Sequence, residues 1–325
     1  MSLILPDRWL WDFWLARDGD DHHVFYLQAP RSLEDPVLRH RNATIGHAVS
    51  RDLVTWEVLP DALGTGPPGS WDDLATWTGS VFRDGDGWAM LYTGISRGDD
   101  GQVQRIGLAR SDDLIAWRRH AGNPVIVADP ARYETLDLAA WYEEAWRDPS
   151  VHQLPGTRDL VAFLTARACD GDPARRGVIA AARARQGSPE AWEVLDPVTA
   201  PGRYGHLEVP QLTQLDDRRW CLLFSVPATV APRGAAPGSE WTEHAGTHFL
   251  LADHPLGPYD WSTHGRLLAD AAGTWYAAKL VERTDGALVC LAWQAADGAG
   301  RFVGALGDPM PVEVGPDGPR VVAPQ

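Results

Sequence analysis

The chain contains 325 residues, of which 44% are apolar, and its formal net charge at pH 7 is −15. This much apolar material supports a sizeable core, which excludes an intrinsically disordered chain. The acidic balance and the absence of a long basic run exclude electrostatic binding to a phosphate backbone, so no nucleic-acid partner is expected.

The sequence shows no sign of a membrane or an export route. No apolar stretch reaches the 18 or so residues that span a bilayer, so no membrane partner is expected. Residues 1–8 lack the basic and apolar regions of a secretory signal. The three cysteines, an odd and sparse set, favour a reducing compartment over a disulfide framework. These observations predict a cytoplasmic location.

Two features of the composition are unusual. The chain has 16 tryptophans, which stack well on the C–H faces of sugars but also pack β-sheets, so they point only mildly to carbohydrate. The basic residues are 28 arginines and a single lysine, Lys279, a bias that codon usage explains more simply than chemistry does.

Three strand patterns recur along the chain. An apolar strand returns at steps of 60 to 72 residues, with copies at 23–28, 88–93, 160–165, 220–225 and 288–293. A strand followed by a Ser-x-Asp-Leu turn and a tryptophan comes after the first two copies, at 46–56 and 107–117. A third pattern starts 11 to 14 residues before each apolar strand, at 11–14, 77–80, 146–149, 207–210 and 274–277.

These patterns define repeating units of about 65 residues, each with three or four short strands between Gly, Asp and Pro turns. Five such units predict an all-β fold, a five-bladed β-propeller, as a single domain over residues 1–325. Residues 136–146 are compatible with a short helix or an irregular loop.

Three members of the third pattern carry an acid at or near the matching position: Asp12, Asp148 and Glu208. The first strand of each propeller blade lines the central channel, so we expect these side chains to converge there. Like charges brought close together raise the pKa of one carboxyl group, as a general acid requires. One ionised and one protonated carboxyl group across a glycosidic bond are the requirements for glycoside cleavage.

The ordered set of motifs resembles glycoside hydrolase family 32, the invertases and fructosidases, and the related family 68, the levansucrases. Residues 46–56 are similar to the invertase signature of blade one, and Trp11-Asp-Phe-Trp14 is similar to the Trp-Asp-x-Trp of levansucrases. The other matches are Trp77-Thr-Gly-Ser80, Asn123-Pro-Val-Ile126, Trp146-Arg-Asp-Pro149, Leu207-Glu-Val-Pro210 and Tyr276-Ala277. Family 32 members normally add a β-sandwich, for which this chain ends too soon after blade five, so none is expected.

The resemblance implies a role for each acid. Asp12 would be the nucleophile, Glu208 the general acid/base, and Asp148 the residue that stabilises the transition state through sugar hydroxyls. A retaining reaction through a covalent fructosyl-enzyme follows, with the two reacting carboxyl groups about 5–5.5 Å apart. The expected substrate is sucrose or a short β-fructofuranoside.

Further residues are candidates for binding the sugar. Stacking is expected of Trp14 and Trp77, with Trp71 as another candidate, and hydrogen bonds to hydroxyls are expected of Gln28 and Ser80. Arg147 could keep Asp148 ionised, His206 could tune the pKa of Glu208, and Tyr276 belongs to a family motif. No metal site, phosphate loop or cofactor is expected, because no cluster has the required spacing.

Three alternatives remain open at this point. A fructosyltransferase would share every step up to the covalent intermediate. An arabinofuranosidase or xylosidase of the related family 43 is expected to invert the anomeric configuration. A non-catalytic sugar-binding propeller would keep the cavity and lose an acid, although all three acids are present.

Overall fold

The computed structural model of the chain describes residues 3–227 and 245–322, and these residues form five antiparallel sheets arranged as the five blades of a propeller. Blade one contains β1 (Arg8–Asp18), β2 (Asp21–Pro30), β3 (Thr44–Ser50) and β4 (Glu57–Val58). Blade two contains β5 (Ala75–Asp84), β6 (Gly87–Ile95), β7 (Arg105–Ser111) and β8 (Arg118–Arg119). The predicted fold is therefore confirmed.

The remaining blades follow in chain order. Blade three contains β9 (Arg147–Gln153), β10 (Leu160–Arg167), β11 (Gly177–Ala184) and β12 (Glu193–Val194). Blade four contains β13 (Glu208–Gln214), β14 (Trp220–Val226), β15 (Ala245–Ala252) and β16 (Gly265–Asp270). Blade five contains β17 (Trp275–Glu282), β18 (Leu288–Ala296), β19 (Phe302–Leu306), β20 (Met310–Gly315) and β21 (Gly318–Val321), with β19 and β20 both paired to β18.

The helical segments of the described residues are short 3₁₀ turns between strands. They are Arg31–Leu33, Pro36–Asn42, Pro173–Arg175, Arg185–Gly187 and Trp261–Thr263. Residues 136–146 form an irregular loop with turns, the second of the two predicted conformations. In the described part of the chain, no helix is long and apolar enough to span a membrane.

The core lies between neighbouring blades, because the second strand of each blade is apolar on both faces. In β10, Ala162 and Leu164 pack toward blade two, whereas Val161 and Phe163 pack toward blade four. This separation follows from the two-residue period of a strand, whose successive side chains point to opposite faces. The recurring apolar strands of the sequence are thus the middle layers of a ring of sheets.

The innermost strands β1, β5, β9, β13 and β17 contact one another in sequence around the ring, and β17 returns to β1. Blade five also meets the start of the chain, where the N–H of Leu306 donates to the carbonyl of Leu3 at 3.1 Å. Each inner strand carries a β-bulge or register shift in its pairing with the second strand of its own blade. The bulges bend the five strands at the same level of the ring.

Gly107, on β7, gives a direct test of the packing inside a blade. A Cβ at this position would lie 2.4 Å from the Trp71 ring, a closer approach than real Cβ atoms show. We expect Gly107→Ala to reduce the free energy of unfolding by about 1–3 kcal/mol, because the indole must move within a packed sheet. Urea denaturation measures this loss.

Gly298→Ala is the matched control, because nothing lies within 4 Å of a Cβ there and its φ is not in the left-handed region. We expect its effect to stay within about 0.5 kcal/mol. Equal losses in the two variants would contradict the packing described for Gly107.

Candidate active site

The bulges of the inner strands place the three predicted acids in one cavity. Asp12 and Asp148 occupy left-handed positions, with φ values of +23° and +59°, and Glu208 directly precedes left-handed Val209, with φ +51°. Non-glycine residues avoid this region unless the surrounding structure holds them there. The cavity that the acids line has a volume of about 460 Å³.

Asp148 is buried at the base of the cavity and is held by donors from three strands. Its carboxylate accepts hydrogen bonds from the hydroxyls of Thr78 and Thr165, the second at 2.8 Å, and from the N–H of Val209 at 3.0 Å. Its own N–H donates to the Thr93 hydroxyl at 3.1 Å. These contacts fix the orientation of the Asp148 side chain.

Glu208 is surrounded by donors. Arg147 donates through Nη2 to Oε1 at 2.6 Å, the Tyr276 hydroxyl donates to Oε2, and His206 Nδ1 lies 3.4 Å from Oε1. Burial opposes the ionisation of Glu208, but the charge of Arg147 and the hydrogen bonds outweigh it and hold the pKa of Glu208 well below its usual range. In the free cavity Glu208 is therefore ionised at neutral pH.

Asp12 has a different environment. Its Oδ1 accepts a hydrogen bond from Trp293 Nε1 at 2.9 Å. Burial, followed by the charges of Asp148 and Glu208, raises the pKa of Asp12 to about 7, against a smaller opposing effect of Arg39. The three acids are thus close enough to influence one another electrostatically.

The predicted roles require a proton on Glu208, the general acid, and an ionised Asp12, the nucleophile. The pKa values favour the reverse arrangement. The expectation that crowding raises the pKa of one acid is met, but the acid concerned is Asp12 and not Glu208. The cause is Arg147, which forms an ion pair with Glu208, whereas the hydrogen bond to Asp12 comes from a neutral indole. Of the two acids, Asp12 is therefore the one that keeps a proton up to near-neutral pH.

Arg147 was predicted to pair with Asp148, but its closest carboxylate is Glu208. Its Nε lies 3.6 Å from Asp148 Oδ2, but its shorter contacts are to Glu208 and, at 2.8 Å, to Glu143. Gln104 accepts a further hydrogen bond from Nη1 at 3.0 Å. Arg147 is therefore shared among three carboxylates and acts most strongly on Glu208.

Two other predicted binding residues line this cavity, and one lies behind it. Trp77 lines the cavity, with its Nε1 donating to the His40 carbonyl at 2.7 Å, and Tyr276 lines it next to Glu208. His206 is only 1% exposed and accepts a hydrogen bond from Trp141 Nε1 at 3.0 Å, so it touches Glu208 without facing the cavity. This position corrects the prediction that His206 contacts the sugar and fits its other predicted role, tuning Glu208.

Three other predicted binding residues do not line the acid cavity, which corrects the expectation that they face the sugar there. Trp14 is buried and stacks on Phe25. Gln28 is 2% exposed, with its Nε2 3.4 Å from the Thr44 hydroxyl. Ser80 lines a second cavity, of about 380 Å³, together with Trp14, and Asp148 lines both cavities.

Trp71, the remaining stacking candidate, packs against Tyr92 inside blade two, at 5.5 Å between ring centroids. It is absent from the residues that line the acid cavity. Its half-buried ring therefore serves the packing of the blade.

The sequence interpretation missed several residues of the site. Thr165 and Trp293, which hold Asp148 and Asp12, end the recurring apolar strands of blades three and five. Thr93 and Ser225 end the same strand in blades two and four, and they accept hydrogen bonds from the backbone of Asp148 and Ala277. A polar residue at the end of each apolar repeat was the signal that could have identified them.

The rim of the cavity was also missed, because it comes from connecting segments without a repeat. Arg39 and His40 come from the turn after β2, Tyr142 and Glu143 from the loop before β9, and Phe302 from β19. Among the described residues, no group of three or more His, Cys, Asp or Glu side chains has the arrangement of a metal site.

Comparison with known proteins gives a family and a set of relatives. The model of the glycosyl hydrolases family 32 N-terminal domain matches residues 15–299. A bifunctional fructosyltransferase of Allium cepa is 40% identical over 96 residues, which cover 27% of this chain and 15% of that protein. A β-fructofuranosidase, insoluble isoenzyme 1, of Oryza sativa subsp. indica is 33% identical over 151 residues, which cover 44% of this chain and 25% of that protein.

The chain thus spans only a minor part of the length of these curated relatives. Among solved structures, an inulosucrase from Halalkalicoccus jeotgali bound to kestose superimposes with a TM-score of 0.75 at 22% identity. The match covers 98% of this chain and 87% of that protein. At this identity the likeness shows the propeller fold alone.

The pKa of Asp12 leads to a prediction about stability. Because the folded protein binds this proton more tightly than the unfolded chain, stability should fall as the pH rises from about 4 to about 7. Asp12→Asn cannot ionise and should gain stability relative to the wild type over that window, on the order of 4 kcal/mol at pH 8. Urea denaturation at pH 4, 6 and 8 measures the difference.

Asp86→Asn, a change of an exposed turn residue, is the control and should show no such trend. A constant difference between Asp12→Asn and the wild type at all three pH values would contradict the raised pKa.

Proposed function

The chain belongs to glycosyl hydrolase family 32, and we propose that it is a retaining β-fructofuranosidase that releases fructose from sucrose or short β-fructofuranosides. The observation that carries the proposal is the convergence of Asp12, Asp148 and Glu208 in one cavity. A small saccharide suits a cavity of about 460 Å³. A cytoplasmic location remains a prediction from the composition.

In the first step, the Asp12 carboxylate attacks the anomeric carbon and Glu208 gives its proton to the glycosidic oxygen. The bond between that carbon and oxygen breaks, the electron pair stays on the oxygen, and the leaving sugar departs as an alcohol. The product is an ester between fructose and Asp12. Asp148, fixed by Thr78, Thr165 and the N–H of Val209, would hold sugar hydroxyls as positive charge develops on the ring.

In the second step, Glu208 acts as a base. It removes a proton from water, whose oxygen attacks the anomeric carbon and releases the Asp12 carboxylate. Two displacements at the same carbon retain the anomeric configuration. The ion pair with Arg147 suits this step, because it keeps Glu208 ionised once the leaving sugar has taken its proton.

The first step needs a proton on Glu208 and an ionised Asp12, whereas the pKa of Asp12 is raised to about 7 and that of Glu208 is held well below its usual range. Protonated Asp12 already supplies one proton to the pair, and this form makes up about half of the molecules near pH 7. We infer that the proton moves from Asp12 to Glu208 when the sugar occupies the cavity, before the anomeric carbon is attacked.

Fructosyl transfer is a second candidate, favoured by the likeness to the Allium cepa fructosyltransferase and the Halalkalicoccus jeotgali inulosucrase. In that reaction a sugar hydroxyl replaces water in the second step. The family match gives no support to the family 43 alternative, and three acids in one cavity argue against a non-catalytic sugar-binding propeller.

Removing either reacting carboxyl group tests the proposed roles. We expect Asp12→Ala and Glu208→Ala to lower kcat for fructose release from sucrose by about a thousandfold or more, because each removes a group that bonds or moves a proton in the transition state. Asp86→Ala, at a surface turn, is the control. Wild-type turnover in both site variants would overturn the assignment, and NMR of the first-formed anomer should show retention.

The balance of products separates hydrolysis from transfer. For hydrolysis, glucose and fructose appear from sucrose in equal amounts at every sucrose concentration, because water resolves the intermediate. For transfer, free glucose exceeds free fructose, and the excess grows as sucrose competes with water. Measuring both sugars from about 1 mM sucrose, the upper end of ordinary KM values, to about 1 M decides between them.

A further inference from the structure

Lys279 stands out in both the sequence and the structure. It is the single lysine in a chain with 28 arginines, and it lies on β17 with only 5% of its surface exposed. A lysine ammonium is a compact donor on a flexible stem, whereas a guanidinium is a broad planar fork. A narrow, buried site that needs a point donor would keep a lysine even in a chain whose composition otherwise favours arginine.

The contacts of Lys279 are backbone carbonyls of the neighbouring blade. Its Nζ donates to the carbonyl oxygen of Val209 at 2.8 Å and lies 3.3 Å from that of Pro210. Within the described ranges, no carboxylate lies within salt-bridge distance of Nζ, although Asp148 and Asp12 are near enough to favour its charge. Burial lowers the pKa of Lys279 to about 8, which leaves it charged at neutral pH.

Val209 is the residue that most needs such support. It is β-branched, its φ is +51°, and a residue of this kind occupies the left-handed region only under constraint. Its N–H donates to Asp148, its carbonyl accepts from Lys279, and Glu208 directly precedes it. The orientation of this one segment therefore sets the direction of two of the three acids.

The neighbouring contacts extend the same connection between blades four and five. Three residues before Lys279, on the other side of the bulge in β17, the Tyr276 hydroxyl donates to Glu208. One residue after Lys279, the backbone of Leu280 exchanges hydrogen bonds of 2.8 and 2.9 Å with the Gln211 side chain. In sequence, Lys279 lies between Tyr276 and Leu280, and its Nζ binds the carbonyl of left-handed Val209.

We propose that Lys279 is a positioning residue of the reaction, which holds the Val209 segment so that Glu208 and Asp148 point into the cavity together. The expected effect on kcat rests on the proposed function. The contact between Lys279 and the Val209 carbonyl does not depend on the substrate. Lys279 touches no reacting atom and acts through the Val209 carbonyl.

Lys279→Met tests the proposal, because methionine fills a similar volume without a donor. We expect kcat for fructose release to fall about 10- to 100-fold with KM changed less than about threefold, since a misdirected acid affects the transition state more than sugar binding. Val281→Ala, in the same strand and buried but away from the Val209 carbonyl, is the control for lost stability and should keep wild-type kcat.

A second measurement does not require turnover. Growth on ¹⁵N-lysine labels this side chain alone, so one Nζ signal reports on the contact without assignment. We expect an ammonium signal protected from exchange at pH 6.5, which shifts when sucrose is added to the inactive Asp12→Asn variant. A Nζ signal that exchanges with water as fast as that of an exposed lysine, or a loss of kcat in Lys279→Met no larger than in Val281→Ala, would overturn the proposal.

The two proposals fail in different ways. If the wild type releases no fructose from sucrose or short fructosides, the proposed function fails, while the Nζ signal still reports whether Lys279 is held at the Val209 segment. If the wild type is active and Lys279→Met keeps its kcat, the positioning role alone fails.

Discussion

The site depends on one backbone constraint, the bulge that each inner strand carries at the same level of the ring. A regular strand would alternate its side chains and send every second one into a sheet interface. The bulge breaks that alternation and lets Asp12, Asp148 and Glu208 turn into a common cavity, at the cost of left-handed backbone at Asp12, Asp148 and Val209. The hydrogen bonds around these positions are what hold that backbone in place.

The charge of the cavity follows from its contacts. Three carboxylates in a small space repel one another, and each of them has different hydrogen-bonding or charged partners. Glu208 has Arg147, Asp148 has two hydroxyls and an amide, and Asp12 has a neutral indole. The acids are chemically alike, so the difference in pKa between Asp12 and Glu208 comes from their neighbours and not from their own residue type.

The sequence predicted the fold well, because the repeat is a physical requirement of the architecture. Each blade needs one strand that is apolar on both faces, and the sequence shows such an apolar run at 160–165 and at 23–28. The three acids were found for the same reason, since they share a position in the repeat. The residues around the acids were predicted less well: Trp14, Gln28 and Ser80 do not line the acid cavity, because the repeat does not reveal the direction of each side chain near the bulges.

Residues that act across blades were the hardest to predict. Arg147 was expected to serve Asp148 but forms its shortest contact with Glu208, which is 61 positions away along the chain. The rim residues Arg39, Tyr142 and Phe302 come from connections without a repeat, so no periodic signal marks them. A sequence pattern reports local periodicity, whereas these contacts are set by how far one blade is rotated against the next.

The hydrogen bond between Trp293 and Asp12 joins residues 281 positions apart. A nascent chain that has completed four blades already contains every acid of the cavity, but Asp12 has no indole to fix it until the fifth blade docks. Long-range closure of this kind is slow, because the entropy of a large loop must be lost before any contact is gained. The surroundings of Asp12 are therefore complete only after the fifth blade has docked.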